Sequence, residues 1–215
     1  AQDKRMIEIF NNDEDIHKAT AAAINNVPLS EVTKEMRYAA KEVNFGVLYG
    51  MGSYGLSWRT GISQAEAKDF IRKYFEAFSG VREYIDQTLE FTRKEGYCEP
   101  LFGRRRYLPE LNAGNFQLRA AAERMAVNHP IQGTAADLMK MAMIEVQKQL
   151  AISYKQSANQ PKLILQVHDE LVLEVKKELA EEVAGLVKKI MENVVTLRVP
   201  VKVGISIDRS WGEMK

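Results

Sequence analysis

The spacing of apolar residues changes once along this chain, near Pro161, and that change sets the fold class. Before it, apolar side chains recur at helical spacing in one segment after another. After it come two short aliphatic runs, 163–167 and 171–175, separated only by His168, Asp169 and Glu170. Two such runs across so short a connection predict an antiparallel hairpin. With a helix predicted over 177–195 and a further strand over 199–207, the chain is predicted to be α+β: a helical block, then an antiparallel sheet covered by helices.

Start and stop signals divide the helical block. Helices are predicted over 3–12, 15–25 and, after a break at 28–30, from Thr33 or Lys34 to Leu48, where a cluster of glycines begins. Ser63 and Glu66 form a capping-box pair that opens the next helix. Its apolar face is predicted to be core: Phe70, Ile71, Tyr74, Phe75 and Phe78.

The segment around residue 115 joins a small hairpin to a longer helix. Phe102 and Gly103 predict the bend of the hairpin, and Asn115 is a candidate N-cap for the helix that carries residues 119–128. Pro130 is predicted to kink or end that helix, because its ring clashes with the preceding turn.

Composition excludes several classes of protein. A chain that is 46% hydrophobic and 27% charged is neither disordered nor collagen-like. No apolar run approaches the roughly 18 residues of a membrane span, and the charged first residues lack the apolar stretch of a signal peptide. The single cysteine, Cys98, excludes an internal disulfide and fits a reducing compartment.

Charge is unevenly distributed although the net charge is only +1. Residues 37–125 hold 14 basic and 11 acidic side chains, and 10 of the 13 arginines lie between Arg37 and Arg124. Arginine binds phosphate in a bidentate manner and stacks on flat rings. A polyanionic partner is therefore expected in this region, although a solvated helical surface gives the same pattern.

Four residues share one face of the helix predicted over 34–48. At about 100° per residue, Arg37, Lys41, Phe45 and Tyr49 occupy a sector of about 120°, opposite small apolar residues. Two cations and two rings suit a nucleotide, with the cations on phosphates and a ring on the base or sugar. Burial of Phe45 and Tyr49 beneath neighbouring loops is an equally good alternative.

The predicted bend at 168–170 is a candidate metal site. A tight bend holds carboxylates rigidly, and Asp169 is the natural ligand for a hard divalent cation. Phosphoryl transfer by two metal ions needs bridging carboxylates, of which one hairpin rarely supplies both. A solvated turn is the alternative.

Two further polar groups suit nucleic acid. Arg124 and Asn128 share a helical face, and Gln132 follows the predicted break; all three can bond base edges, including those of the minor groove. Three arginines after the Gly103 bend, Arg104, Arg105 and Arg106, suit DNA backbone phosphates, although a solvated basic turn is at least as good an alternative.

Three strings in this order, RYAAKEVNFGVLYG, ERMAVNHPIQGTAADLMK and LQVHDELVLE, resemble the family A DNA polymerases, the DNA polymerase I group. The resemblance covers essentially the whole chain, starting with DIHKATAA near residue 15. It implies palm-side helices over 1–27, a fingers subdomain over 28–115 and the C-terminal part of the palm over 116–215. The implied activity is template-directed transfer of a nucleotidyl group from a dNTP to a primer 3′-hydroxyl.

The resemblance also implies roles for individual residues. Arg37, Lys41 and His17 would contact the triphosphate, and Lys41 would also protonate the departing pyrophosphate. Phe45 would stack on the nucleoside and Tyr49 would lie by the templating base. Asp169 would bind magnesium beside Glu170, His168 would contact the primer end, and three residues would contact primer and template: Arg124, Asn128 and Gln132.

One departure from the family pattern concerns the second metal-binding aspartate. In the family it lies upstream of the DIHKATAA region, with the residue that screens the 2′-hydroxyl, and no equivalent is identifiable here. We therefore expect fingers plus part of a palm, a fragment or subunit that is inactive alone. Its expected partners are Mg²⁺, dNTP, primer-template DNA and an N-terminal polypeptide that supplies palm and thumb, or a second copy of itself. No membrane partner is expected, and the expected location is the cytoplasm of a bacterial or phage-infected cell.

Other functions fit part of this pattern. A phage-type RNA polymerase shares a related fingers helix and an HD-containing motif, but Phe45 and the continuation HDELV favour the DNA enzyme. A non-catalytic module that binds nucleic acid or a protein partner is a further alternative. The order of the motifs argues against a purely structural helical protein.

Overall fold

The computed structural model describes residues 1–155 and 160–214. In this part of the chain the α-helices are α1 (Lys4–Asn11), α2 (Ile16–Asn25), α3 (Lys34–Leu48), α4 (Ser53–Thr60), α5 (Gln64–Ala77), α6 (Ser79–Glu95), α7 (Phe116–Ser153) and α8 (Ala180–Asn193). The strands are β1 (Tyr97–Cys98), β2 (Arg106–Tyr107), β3 (Lys162–Val167) and β4 (Glu170–Glu174). The predicted α+β class is confirmed. None of the described helices is both long and apolar enough to cross a membrane.

The chain forms two compact units, Ala1–Gln132 and Gly133–Lys215, and the boundary falls within α7. The subdomain boundaries expected from the resemblance, at 27/28 and 115/116, stay predictions.

The core of the first unit is built from α1 to α6. Tyr74 of α5 and Phe78, its C-cap residue, are wholly buried, together with Val43 and Leu56 from neighbouring helices. Phe70, Ile71 and Phe75 are partly buried against the same core. The capping box is present, since Glu66 N donates to Ser63 Oγ (3.2 Å) and Ser63 N donates to Glu66 Oε2 (2.8 Å). The predicted start and core face of α5 are confirmed.

Helix α4 lies within the glycine cluster, where the sequence predicted no helix. Gly52 is its N-cap and Gly61, at φ +76°, its left-handed C-cap. Leu56 anchors the helix in the core of the first unit. Glycines therefore mark both ends of a short helix here, and tertiary burial outweighs the low helix propensity of Gly55 within it.

The small hairpin and the cap of α7 agree with their predictions. Strands β1 and β2 pair Tyr97 with Tyr107, and Gly103 lies in the connection at φ +81°. Asn115 Oδ1 accepts hydrogen bonds from the amides of Gln117 (2.9 Å) and Leu118 (3.3 Å).

In the second unit the hairpin of β3 and β4 accompanies α8 and the later part of α7. The core of the second unit includes Val146, Leu150 and Val183. The register pairs Val167 with Glu170, so only His168 and Asp169 form the connection and Glu170 begins β4. His168 has φ +52°, a backbone conformation that costs about 1 kcal/mol or more for residues other than glycine.

Two predictions about the later part of the chain need correction. Helix α7 continues through Pro130 to Ser153, so of the two predicted effects of the proline, a kink or an end, the end is wrong. No strand is assigned over 199–207, because β3 and β4 pair only with each other among the residues described and a strand needs a hydrogen-bonded neighbour. Val203 N instead donates to Glu192 Oε1 at 3.0 Å.

Candidate functional site

Helix α3 presents the predicted polar and aromatic face to solvent. Thr33 caps the helix by accepting from Met36 N at 3.2 Å. The opposite face, including Ala40 and Val43, is buried in the core of the first unit. Phe45 is 50% exposed and Tyr49, at the C-cap, is 46% exposed. The alternative that these two rings are core residues is therefore wrong.

Helix α2 brings His17 to this face. Asp15 caps α2, and its Oδ1 accepts from the amides of His17 (2.9 Å) and Lys18 (3.1 Å). The other carboxylate oxygen, Oδ2, accepts from Arg37 Nε at 2.7 Å. The His17 and Phe45 ring centroids are 5.6 Å apart. We call the surface formed by His17, Arg37, Lys41 and Phe45 the α2–α3 face.

A buried polar group lies beneath the α2–α3 face. Asn44 is 7% exposed and Thr20 is completely buried. Asn44 Nδ2 lies 3.0 Å from His17 Nδ1 and 3.1 Å from Thr20 Oγ1. Sequence analysis missed both Asn44 and Asp15. The signal for Asn44 was an amide on the apolar side of the helix, between Val43 and Val47.

Burial, hydrogen bonds and the charges on the α2–α3 face shift two pKa values. Burial is the largest effect on His17 and lowers its pKa below 6.5; Arg37 and Lys41 lower it further, while Asp15 opposes them. For Asp15, desolvation is the largest single effect and raises the pKa, but the hydrogen bonds from Arg37, Lys18 and His17, with the charge of Arg37, outweigh it. The pKa of Asp15 therefore lies below its ordinary value of 3.8. The face thus favours a neutral imidazole beside an ionised carboxylate.

Close packing joins the end of α3 to α7 within the first unit. Gly50 has φ +73°, and a Cβ placed there would lie 2.7 Å from Arg124 Cγ. Arg124 therefore packs against the turn that follows Tyr49. A Cβ at Gly46 would overlap the methyl group of Met51, so this side chain closely approaches the backbone of α3.

Arg124, Asn128 and Gln132 lie four residues apart on the uninterrupted helix α7, so the predicted break in register before Gln132 is wrong. Asn128 Oδ1 is buried without a hydrogen-bond partner in the structure. Such an atom carries a desolvation penalty of about 1–3 kcal/mol.

The arginines of the β1–β2 connection have local contacts. Arg105 pairs with Glu99 (3.3 Å) and its guanidinium lies 4.5 Å from the Tyr97 ring centroid. Arg104 is exposed in the same connection. Their assignment to DNA phosphates stays a prediction.

The candidate metal ligands lie on the β3–β4 hairpin of the second unit. His168, Asp169 and Glu170 are all exposed, and Gln166 Nε2 donates to His168 O at 2.6 Å. Carboxylate oxygens suit Mg²⁺, so the donor chemistry fits. No group of three or more His, Cys, Asp or Glu that could hold a metal ion occurs within residues 1–155 and 160–214. The described part of the hairpin thus offers carboxylate ligands without a complete cluster.

Comparisons with known proteins identify the family of the chain. The model of DNA polymerase family A matches residues 1–213. DNA polymerase I of Bacillus caldotenax is 46% identical over 215 residues, all of this chain and 24% of that protein. The thermostable DNA polymerase I of Thermus aquaticus is 49% identical over 209 residues, 97% of this chain and 24% of that protein.

A solved structure is also similar, the POL domain of Pol1 from M. smegmatis in complex with DNA primer-template and dNTP. It has a TM-score of 0.89 and 43% identity, over 98% of this chain and 36% of that chain. The chain belongs to DNA polymerase family A. It spans about a quarter of the length of the curated relatives it matches.

Proposed function

We propose that this chain supplies the nucleotide-binding fingers and part of the palm of a replicative or repair DNA polymerase. The reaction is attack of a primer 3′-oxygen on the α-phosphorus of a dNTP, with cleavage of the bond to the β-phosphate and release of pyrophosphate. The observation that carries the proposal is the α2–α3 face, where His17 of α2 lies beside Arg37 and Phe45 of α3. The chain that bears this face belongs to a polymerase family.

The cations of the α2–α3 face bind the triphosphate. Arg37 and Lys41 are both exposed, and Lys41 lies about one helical turn after Arg37 on α3. Arg37 is held by Asp15 at 2.7 Å, so it must exchange this carboxylate for phosphate oxygens when a nucleotide binds. Lys41 also donates the proton that the departing pyrophosphate takes up.

The exposed rings and the α7 residues contact the nucleoside and the duplex. Phe45 stacks on the nucleoside and Tyr49 lies by the templating base, which their exposure permits. Contacts along primer and template come from residues on α7 and at the two connections: Arg124, Asn128, Gln132, Arg104, Arg105 and His168.

Asp169 holds Mg²⁺, with Glu170 as its acidic neighbour. When bound, the metal supplies charge neutralisation for the phosphate oxygens. We also propose that these 215 residues do not extend a primer by themselves, because two metal ions need more carboxylate ligands than this hairpin offers. A primer-extension assay on the purified chain tests this, and template-dependent extension would contradict it.

The proposed partners are primer-template DNA and dNTP, both of which the M. smegmatis relative holds. A polypeptide that supplies the rest of palm and thumb, or a second copy of this chain, is the proposed protein partner. The proposed location is the bacterial or phage-infected cytoplasm.

Equilibrium binding of magnesium-dATP to the purified chain tests the assignment of the α2–α3 face. We expect Arg37→Ala and Lys41→Ala each to weaken binding about tenfold, since each removes a charge-assisted contact. Lys73→Ala is the matched control, because Lys73 is a partly exposed lysine of the same unit that pairs with Asp69 at 2.9 Å. Equal affinity in all three variants would overturn the proposal.

A further inference from the structure

The polar group beneath the α2–α3 face forms a directed chain of hydrogen bonds. Thr20 Oγ1 lies 2.7 Å from Ile16 O, and 3.1 and 3.2 Å from Nδ2 and Oδ1 of Asn44. The hydroxyl has one proton, so it can donate one hydrogen bond. The shortest of these distances shows that it donates to the carbonyl of Ile16. Thr20 Oγ1 is then an acceptor and takes an N–H from the Asn44 amide.

The second N–H of that amide is directed at His17. Asn44 Nδ2 lies 3.0 Å from His17 Nδ1, and an amide nitrogen can only donate. Nδ1 must therefore be the acceptor. A neutral imidazole carries one proton, which places it on Nε2.

We propose that Asn44 is a positioning residue that fixes the tautomer of His17, so that Nε2–H is the donor presented to a phosphate oxygen of the nucleotide. This inference rests on the proposed function and deepens it. Asn44 itself touches no nucleotide, since it is buried between α2 and α3.

A fixed tautomer matters here because the imidazole is neutral. A protonated histidine donates from both nitrogens, whereas a neutral one donates from a single nitrogen and accepts at the other. Burial, Arg37 and Lys41 hold the pKa of His17 below 6.5 against the opposing charge of Asp15. Without Asn44, a neutral His17 could turn an acceptor lone pair toward the phosphate, and the contact would become repulsive.

Nitrogen-15 NMR of the His17 imidazole in the whole chain, at about pH 8, reads the tautomer directly and requires no catalytic activity. We expect Nε2–H in the wild type. Asn44→Asp replaces the donor by a carboxylate that only accepts, so it should move the proton to Nδ1. Asn25→Asp is the matched control, because Asn25 donates to Ala21 O (2.8 Å) on α2 and no contact to His17 is seen. A wild-type proton on Nδ1, or an unchanged tautomer in the folded Asn44→Asp protein, would overturn the inference.

Binding of magnesium-dATP at the same pH supplies the functional readout. We expect Asn44→Leu, which adds no charge, to weaken binding about tenfold and to have no further effect when His17 is already replaced by Gln. Equal losses with and without His17 would overturn the inference, because Asn44 would then act by another route. A different result would contradict the proposed function itself: Arg37→Ala and Lys41→Ala would then leave magnesium-dATP binding unchanged.

Discussion

At the scale of single residues, the proposed function predicts that Asp15 competes with a nucleotide for Arg37. Its carboxylate caps α2 through Oδ1 and pairs with the guanidinium through Oδ2. Both groups are partly exposed, so the pair is screened and opens at low cost. The cap and the ion pair use different oxygens, which allows them to be separated by substitution.

Asp15→Asn should strengthen magnesium-dATP binding about threefold, because the amide oxygen keeps the cap while the competing charge is removed. Isothermal titration of the purified chain measures the change. Asp69→Asn on α5, which pairs with Arg72 and Lys73 away from this face, should have no effect. Unchanged or weaker binding in Asp15→Asn would show that the carboxylate does not compete.

His17 should make the stability of the chain depend on pH. Its folded pKa lies below the ordinary value of 6.5, mainly because of burial. As pH falls below that value, the unfolded chain takes up a proton that the folded chain resists. The stability contributed by neutral His17 is thus present above 6.5 and lost as pH falls toward the folded pKa.

His17→Gln should therefore lose less stability than the wild type between about pH 8 and about pH 5. Urea denaturation at both pH values measures the difference. The contribution of Asp15 falls in a separate window, below its ordinary value of 3.8, because its pKa is also lowered. Equal losses in the two proteins would contradict the account of a neutral, desolvated imidazole.

Single residues show what sequence can predict about the site. The shared face of Arg37, Lys41, Phe45 and Tyr49 follows from spacing within one helix, and their spacing was enough to predict it. The roles of Asp15 and Asn44 depend on contacts between α2 and α3, 22 to 27 residues apart in the chain. Local patterns do not encode such contacts.

At the scale of elements, α7 shows how a helix passes through a proline. Pro130 donates no hydrogen bond to the preceding turn, and its ring weakens the local ladder. Tyr84 Oη donates to Val127 O in that turn at 2.9 Å. Burial raises the pKa of Tyr84 to about 12, so its hydroxyl remains a donor at ordinary pH. A proline in the sequence argues against a continuous helix. The contact from α6 could not be predicted, because it joins residues that are far apart in the chain.

Tyr84→Phe should raise hydrogen exchange in α7 around Pro130 and cost about 1–2 kcal/mol of stability. Pro130→Ala restores a donor to the carbonyl of Ala126 and removes the ring that disturbs this turn. The Tyr84 bond to Val127 O is then needed less, so the same substitution should cost less in that background. Urea denaturation of the four proteins in this double-mutant cycle gives the coupling. Additive costs would contradict a compensating role for Tyr84.

At the scale of the whole first unit, Asp3 joins the start of the chain to α6. It is 6% exposed and accepts from Met6 N (2.9 Å) at the start of α1 and from Gly80 N (3.0 Å) near the start of α6. Helix α6 has no side-chain cap at its own N-cap residue, Phe78. A Cβ at Gly80 would lie 2.8 Å from Asp3 Cα, which explains the glycine.

Asp3→Ala should destabilise the chain by about 2–3 kcal/mol, because it leaves two amides without an acceptor. Chemical denaturation followed by circular dichroism measures the loss. Asp86→Ala is the control: Asp86 pairs with Arg82 on the exposed surface of α6, and its loss should cost under about 1 kcal/mol. Similar costs for the two variants would contradict the double capping.

The fold as a whole was more predictable than its connections. Helical periods, the capping box and the late hairpin gave the α+β class and most helix boundaries, since those signals are local. The strand predicted over 199–207 failed because strand formation needs a partner, which the propensity of one segment does not supply. Helix α4 was missed because its anchor, Leu56, acts through tertiary burial.

Transplantation into a known polymerase tests the central claim most directly. These residues would replace the matching segment of the thermostable DNA polymerase I of Thermus aquaticus, which is 49% identical over 209 residues. The chimera should extend a primed template, and Lys41→Ala or Asp169→Asn should each slow single-turnover extension about a hundredfold or more, while Lys73→Ala should not. A folded chimera without template-directed extension, or one in which Asp169→Asn extends at the unsubstituted rate, would contradict the assignment.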